Sequence, residues 1–295
     1  MSDPLPLQIV CEMAKSLPAA PWLLPKLQIA LKNPDTTAEE TEALIKKDAG
    51  LSSAILRTAN SAFFGDSKCD KLHDALLRLG NREIFKVASL TIAGRWLSNS
   101  VTGGYGWEPG DLCKHSLCVA IAAEILAKES GQVLPDVAYL AGLLHDVGKL
   151  ALAYSCADGF EEVRLYQKEH QCSWREAEKH IFGYDHTDVG GILLESWSYP
   201  INLIQTALYY PRPSLAAHEY LPLIAHVHAA KHLSLQLGVG VGEEGFTTEL
   251  DESVFEIVGL TPEMMELAMP KILIAAEKIL SAISAGPGQG VKFEG

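Results

Sequence analysis

Residues 141–152 read AGLLHDVGKLAL, an apolar run that carries three titratable side chains, His145, Asp146 and Lys149. Small residues lie one helical turn before His145, where they would let a second helix approach closely. A buried polar group without a partner costs about 1–3 kcal/mol. The His-Asp pair therefore needs a hydrogen bond, an ion pair or a metal ion inside the core.

Two more histidines could complete such a site. His115 lies three and four residues before Cys118 and Val119, which places it on the apolar stripe of a predicted helix, and His186 follows in FGYDHTDVGG. A lone buried histidine is usually an ordinary core residue, but several such groups on one helical core indicate a site, working or vestigial. Imidazole and carboxylate groups are ligands that Fe, Mn, Zn or Ni accept. The predicted metal ligands are His115, His145, Asp146 and His186, and no residue is assigned a separate catalytic role.

Composition narrows the class of protein. The 295 residues are 48% hydrophobic and 21% charged, which is typical of a soluble globular protein. A formal net charge of −13 argues against nonspecific binding to nucleic acid or to anionic lipid. No apolar run is long enough to span a membrane, and the first residues do not resemble a signal peptide. The six cysteines form no CxxC pair, so we expect reduced thiols in a cytoplasmic protein.

The pattern of apolar residues is helical nearly throughout. Residues 24–33 form one amphipathic segment, and residues 36–50 open with threonines and acids and end at Gly50. A helical stretch at 74–97 is divided by Gly80-Asn81. No long run alternates apolar and polar residues, so strands are not expected. The sequence predicts an all-α protein.

The clearest internal loop is TGGYGWEPG (102–110), which is rich in glycine and proline. We place the main boundary there. The predicted limits are 1–103 for an N-terminal helical subdomain, 104–237 for a multi-helix bundle, and 238–295 for a linker, a C-terminal helix and a tail.

Five segments resemble one known family in the order of that family. The order H…HD with a following lysine resembles the HD phosphohydrolases, whose active members bind divalent metals and hydrolyse phosphate esters. The closer likeness is to the HDOD branch, the HD-related output domains of bacterial signalling proteins. It covers most of residues 15–235 and implies an HD-like helical bundle. The segments are KDAGLSSAILRTANSAFFG (47–65), DALLRLGNREIFKVA (74–88), KHSLCVAIAAEILA (114–127), LAGLLHDVGKLAL (140–152) and YDHTDVGGILLESWSYP (184–200).

One departure from the superfamily bears directly on activity. An active HD enzyme completes its metal site with a last aspartate, which would fall within LIAHVHAAKHL (223–233). That segment has no aspartate, and its best-matching position is Lys231. A lysine there would repel a metal and could instead pair with Asp146. The GYP signature of related phosphodiesterases is also absent, and Tyr209 and Tyr210 stand in its region.

Other side chains could change this interpretation by replacing the missing aspartate as a metal ligand. The candidate replacements are His226, His228, His232, Asp185 and Asp188.

Other charged residues have simpler interpretations. Lys149 is predicted to be a surface cation near a helix C-terminus, where a positive charge is favoured. The charged segment 161–180 is predicted to be a solvated helix with no further role.

Three functions stay open at this point. The leading hypothesis is a signalling module without efficient catalysis, which acts through contacts with signalling proteins and could associate with its own copies. The second is a metal-dependent phosphohydrolase or phosphodiesterase that uses His115, His145 and Asp146 as ligands. The third is a noncatalytic sensor that binds a nucleotide between helices.

Overall fold

The computed structural model describes residues 5–15, 23–61, 64, 68–97, 103–239, 242, 250–257 and 259–284. This part of the chain is mostly helical and contains no strand, which confirms the predicted all-α fold. None of its helices has the length and hydropathy needed to cross a bilayer. In chain order the helices are α1 (Leu7–Lys15), α2 (Leu23–Lys32), α3 (Ala38–Ile45), α4 (Ala49–Ala59), α5 (Leu72–Leu97), α6 (Asp111–Ser130), α7 (Pro135–Leu144), α8 (Val147–Ser155), α9 (Phe160–His170), α10 (Trp174–Phe182), α11 (His186–Ser196), α12 (Ile201–Tyr209), α13 (Leu221–Gln236), α14 (Ser253–Ile257) and α15 (Pro262–Ser284).

The chain divides into two compact units. The small unit comprises residues 19–96 and 277–295, and the large unit comprises residues 1–18 and 97–276. Helix α1 packs against α8 and α11 within the large unit. The domain limits proposed above from the sequence remain a prediction.

Local signals in the sequence set the helices of the small unit. The Thr37 hydroxyl accepts a hydrogen bond from the Glu40 N–H, and the Glu40 carboxylate accepts one from the Thr37 N–H, so a capping box starts α3. Asp48 caps α4 by accepting from the Leu51 N–H. The expected break in α5 is confirmed at Gly80, whose φ of 71° and ψ of 164° are readily adopted only by glycine.

The core of the large unit forms around α6, which is buried along almost its whole length. Helix α6 packs against α7 and α13, while α11 packs against α8 and α12. A Cβ atom on Gly142 would lie 2.9 Å from the Ala120 Cα and 2.9 Å from the Val119 carbonyl oxygen. The glycine before the His-Asp pair therefore allows α6 and α7 to approach each other closely.

His145 and Asp146 lie at the joint between α7 and α8. Just beyond this joint, α8 crosses α11 at Gly148. A Cβ atom on Gly148 would lie 1.9 Å from the His186 carbonyl oxygen and 2.6 Å from the Gly190 amide nitrogen. A Cβ atom on Gly190 would meet nothing closer than 3.4 Å. The crossing therefore excludes a side chain at Gly148 and tolerates one at Gly190.

We expect Gly148→Ala to lower the free energy of unfolding by about 3 kcal/mol, because the added methyl group would push two backbones apart. Gly190→Ala, on the other side of the same crossing, should change it by less than about 1 kcal/mol, since alanine favours a helix and meets only ordinary contacts there. Urea unfolding followed by far-ultraviolet circular dichroism measures both. Equal losses in the two variants would contradict this description of the crossing.

Candidate metal centre

Three of the four predicted ligands converge in the core of the large unit. The nitrogen and oxygen atoms that His115, His145 and Asp146 could offer lie within 4.8 Å of one another. The Asp146 Oδ2 atom is 3.2 Å from His145 Nε2 and 3.6 Å from His115 Nε2. All three side chains are at most 1% exposed. Helix α6 supplies the first histidine, and the α7–α8 joint supplies the adjacent pair.

Both imidazoles present the nitrogen that a metal would use. The Nδ1 atom of His145 is 2.7 Å from the Gly142 carbonyl oxygen, and Nδ1 of His115 is 3.5 Å from that of Val239. Because a carbonyl only accepts, each Nδ1 carries the proton and each Nε2 carries a lone pair. Neither Nε2 atom has a hydrogen-bond partner among the described residues. Two buried lone pairs beside a carboxylate are a donor set that suits a divalent transition metal.

Burial keeps both histidines uncharged. It lowers the pKa of His115 to about 3, against the opposing effect of the Asp146 carboxylate. Burial also lowers the pKa of His145. Neutral imidazole is the form that binds metals. The protonation states of both histidines therefore suit a metal ligand.

The carboxylate, in contrast, already pairs with two cations. Lys149 Nζ lies 2.7 Å and Lys231 Nζ lies 3.7 Å from Asp146 Oδ2. Burial alone would raise the pKa of Asp146, but the ammonium groups of Lys149 and Lys231 hold it well below its usual range. The pairing of Lys231 with Asp146 that the sequence suggested is present. A metal at this site would have to compete with two ammonium groups for the only carboxylate of the cluster.

The prediction for Lys149 was wrong. This residue lies in the first turn of α8 and is 0% exposed, so it is neither on the surface nor near a helix C-terminus. Its Nζ is also 5.1 Å from the centre of a Trp107 ring and 5.7 Å from that of Tyr105. Aromatic faces and a carboxylate together compensate for the lost hydration of the ammonium group.

His186 lies outside the cluster, and two hydrogen bonds through the Tyr210 hydroxyl link it to Asp146. The Tyr210 hydroxyl donates a short hydrogen bond to Asp146 Oδ1 and is 3.0 Å from His186 Nε2. Lys231 Nζ donates to the same hydroxyl oxygen at 3.3 Å. Tyr210 thus joins α8, α11 and α13 through one oxygen atom.

A second acid, Glu178, holds His186 through its other ring nitrogen and its backbone N–H. Glu178 Oε2 is 2.7 Å from His186 Nδ1 and accepts the His186 backbone N–H at 2.9 Å. The Tyr105 hydroxyl donates to the other carboxylate oxygen of Glu178 at 2.7 Å. A continuous polar chain therefore runs through the core from Tyr105 to Asp146.

Reasoning from sequence missed Glu178. The segment 161–180 was predicted to be fully solvated, yet this carboxylate is 0% exposed, and the prediction is wrong there. The signal was present in the spacing, because Trp174, Ala177, Glu178 and Phe182 fall on one helical face and three of them are apolar. The capping box at Ser173 also marked the true start of α10.

None of the proposed replacements for the missing aspartate joins the cluster. Three are histidines on α13 that face other partners. His226 Nε2 is 2.7 Å from Ser130 Oγ, and His232 Nε2 is 3.0 Å from Gln236 Nε2. His228 Nδ1 donates to the Tyr210 carbonyl oxygen at 2.8 Å, and its Nε2 accepts the Asp251 N–H at 2.9 Å. These histidines organise α13 and its surroundings.

The two aspartates instead start α11. Asp185 accepts hydrogen bonds from the backbone N–H groups of Thr187 and Asp188, and its carboxylate is 2.7 Å from the Arg175 guanidinium. Asp188 returns the capping interaction by accepting the Asp185 N–H. Both carboxylates are therefore committed to the helix terminus.

We expect Lys149→Met to destabilise the protein by about 3–5 kcal/mol, because it leaves the buried Asp146 without its nearest cation. Lys231→Met should cost less, since its ammonium is farther from the carboxylate. Adding Asp146→Asn to Lys149→Met should recover part of the loss by removing the uncompensated charge. Chemical denaturation of the single and double variants measures these terms, and a loss below about 1 kcal/mol for Lys149→Met would contradict the ion pair.

We also expect the contribution of His228 to stability to depend on pH. Burial lowers its pKa to about 4 from an ordinary value of 6.5. Since the unfolded chain takes up this proton first, the contribution is complete above pH 6.5 and is lost as pH falls towards 4. The advantage in unfolding free energy over His228→Gln should shrink by about 2 kcal/mol between pH 7 and pH 5. Parallel pH profiles of the unfolding free energy for the wild type and His228→Gln would refute the assignment.

Comparison with known proteins identifies relatives of this chain. A family model for the HDOD domain matches residues 17–213. An uncharacterized protein of Treponema pallidum (strain Nichols) is 27% identical over 220 residues, which are 74% of this chain and 42% of that protein. The chain thus spans less than half the length of this relative.

Solved structures share the fold at low identity. An HDOD domain protein of unknown function from Geobacter sulfurreducens has a TM-score of 0.63 and 24% identity, over 94% of this chain and 95% of that one. A candidate phosphohydrolase from Shewanella amazonensis SB2B has a TM-score of 0.62 and 22% identity, over 90% and 97% of the two chains. A candidate signal transduction protein from Marinobacter aquaeolei VT8 has a TM-score of 0.70 and 22% identity, over 92% of this chain and 60% of that one. Since the family model covers well over half of the sequence, the chain belongs to the HDOD family.

Proposed function

We propose that this protein is a signalling module that acts through contacts with other proteins and does not hydrolyse phosphate esters efficiently. One observation carries the proposal: the only carboxylate of the candidate metal centre is paired with two buried ammonium groups. Lys231 stands at the position where an active HD enzyme would supply its last anionic ligand. Lys149 is closer still, at 2.7 Å from Asp146.

Electrostatics opposes a metal in this setting. Two unit charges 4 Å apart interact by about 4 kcal/mol at an effective dielectric constant of about 20. A divalent cation bound by His115, His145 and Asp146 would therefore be strongly repelled by neighbouring ammonium groups. Such a metal would polarise a phosphate and acidify a bound water. The residues here retain the donors, but their net charge favours the ion pair over the metal.

Burial of the cluster supports the same conclusion. Asp146 and Lys149 are 0% exposed, Tyr210 is 1%, His186 is 4% and Lys231 is 5%. A phosphodiester needs contact with the attacking group, so these helices would have to separate before any substrate could react. A closed cluster whose carboxylate is already paired with lysines suits a structural element of a signalling domain.

The names of related proteins are compatible with either role. One structural neighbour is named as a candidate signal transduction protein, and another as a candidate metal-dependent phosphohydrolase. The first agrees with the role proposed here. The scattered cysteines, which include no CxxC pair, suit a reducing cytoplasm, where we place the protein.

A metal-dependent phosphohydrolase is the second candidate. It is favoured by the Nε2 atoms of His115 and His145, which are buried and have no hydrogen-bond partner among the described residues. A metal would satisfy both atoms at once, provided that Lys149 moved away from Asp146.

Metal content decides between the two candidates. We expect protein purified without chelator to hold no more Fe, Mn, Zn or Ni than its His145→Ala variant, and to leave bis(p-nitrophenyl) phosphate intact. Elemental analysis and a colorimetric assay measure these. Near-stoichiometric metal in the wild type that is lost in His145→Ala, together with hydrolysis, would overturn the proposal.

A gain-of-binding variant tests the role of Lys231 by a second route. Lys231→Asp replaces a repelling cation with the anionic ligand that active enzymes have, so we expect it to bind Mn²⁺ at least tenfold more tightly than the wild type. The matched control is Lys168→Asp, which makes the same charge change on the exposed face of α9. Equal affinity in the wild type and Lys231→Asp would show that Lys231 does not block the site.

A further inference from the structure

We propose that a groove at the C-terminal side of the large unit docks a basic amphipathic helix from a partner protein. The groove has a volume of about 830 Å³. It is lined by the end of α13, the residues on either side of α14, α14 itself and the first two turns of α15. It lies apart from the candidate metal centre and uses none of its ligands.

The floor of the groove is apolar. Leu233, Leu260, Phe255 and Met265 line it and are each at most 9% exposed, and the half-buried Met269 closes one end. Methionine side chains are unbranched and adapt to varied apolar partners. An exposed apolar groove of this size on a folded domain commonly marks a binding surface.

The rim of the groove is acidic. Glu252, Glu256 and Glu266 line it and are exposed, and none of the described lining residues is lysine or arginine. The remaining titratable side chain is His232, whose pKa is lowered by burial and which is therefore mostly uncharged at neutral pH. Three carboxylates around an apolar floor are complementary to an apolar face flanked by lysine or arginine.

Charge and length together select the kind of partner. Nucleic acid and anionic membranes would be repelled by the carboxylates and by the formal net charge of −13. The lining stretch of α15 from Pro262 to Met269 rises by about 10 Å, which matches two turns of a helix. Two turns present apolar anchors at positions i, i+3 or i+4, and i+7, the usual pattern of a helix bound in a groove.

The inference rests on the proposed function in one respect, that the chain acts through protein contacts. It adds the place and the chemistry of the contact. Two hydrogen bonds also connect a residue beside the groove lining to the polar core. Asp251, between two lining residues, donates its N–H to His228, which in turn donates to the Tyr210 carbonyl oxygen.

A selection from displayed peptides with the full chain tests the proposal. The library would fix leucines at helical i, i+4 and i+7 positions and randomise the intervening residues. We expect the enriched sequences to be rich in lysine and arginine. Fluorescence anisotropy with individual labelled peptides then gives affinities. Enrichment of acidic or uncharged sequences, or no enrichment, would overturn the proposal.

Matched variants of α15 assign the binding to the groove. Met269→Asp places a charge in the lining and should weaken the selected peptides by about tenfold or more. Leu267→Asp makes a similar change at a position that is 68% exposed and outside the lining, and should leave the affinity unchanged. Likewise, Glu266→Gln should weaken binding, and Glu263→Gln should not. Equal effects within each pair would refute docking in this groove.

The remaining outcomes separate this inference from the proposed function. A dimer of the full chain, seen by light scattering and dissociated by Met269→Asp but not by Leu267→Asp, would overturn the proposal by showing that a second copy fills the groove. Metal-dependent hydrolysis with intact peptide binding would remove the noncatalytic role and leave the docking site standing. Absence of both metal and peptide binding would remove only the docking site.

Discussion

The buried carboxylate of Asp146 is the constraint on which the centre of the large unit depends. An ionised carboxylate cannot remain inside an apolar core unless surrounding groups compensate for its lost hydration. Here the compensation comes from α8 through Lys149, from α13 through Lys231 and from the end of α12 through Tyr210. The position of each of these helices is therefore tied to a single side chain.

This constraint extends outward through Tyr210. Its hydroxyl group connects the carboxylate to His186 on α11, and His186 is held in turn by Glu178 on α10. Its carbonyl oxygen accepts from His228 on α13. Within the described part of the chain, nearly every member of the polar network has a hydrogen-bond partner. The exceptions are the Nε2 atoms of His115 and His145, which face the carboxylate. A buried polar network of this kind specifies one arrangement of helices, because any other arrangement would leave some of its polar groups buried without hydrogen bonds.

The helical fold could be predicted because its signals are local. Capping residues such as Thr37, the break at Gly80 and the apolar stripe of α6 all act within one or two turns of chain. The burial of His115 and of the His-Asp pair could be anticipated from their apolar settings. Such patterns indicate which residues are buried, but they do not indicate which residues meet.

The partners of the site could not be predicted for the same reason. Lys149 was expected at the surface because a lysine is rarely buried. Its burial depends on the ion pair with Asp146, three residues before it, and on the ring faces of Trp107 and Tyr105, which come from a distant segment. Glu178 was overlooked because it lies in a charged stretch of sequence, and the Tyr105 hydroxyl that donates to it comes from the same distant segment.

The placement of the His-Asp pair at a helix joint has a consequence for reading related sequences. Asp146 joins α7 to α8 and anchors two lysines, and Gly148 beside it sets the crossing with α11. These roles are structural, and they would persist in a protein that performs no chemistry. An HD dipeptide is therefore a poor marker of hydrolase activity in this fold. Under the proposed function, the residue at position 231 is the more informative one to inspect.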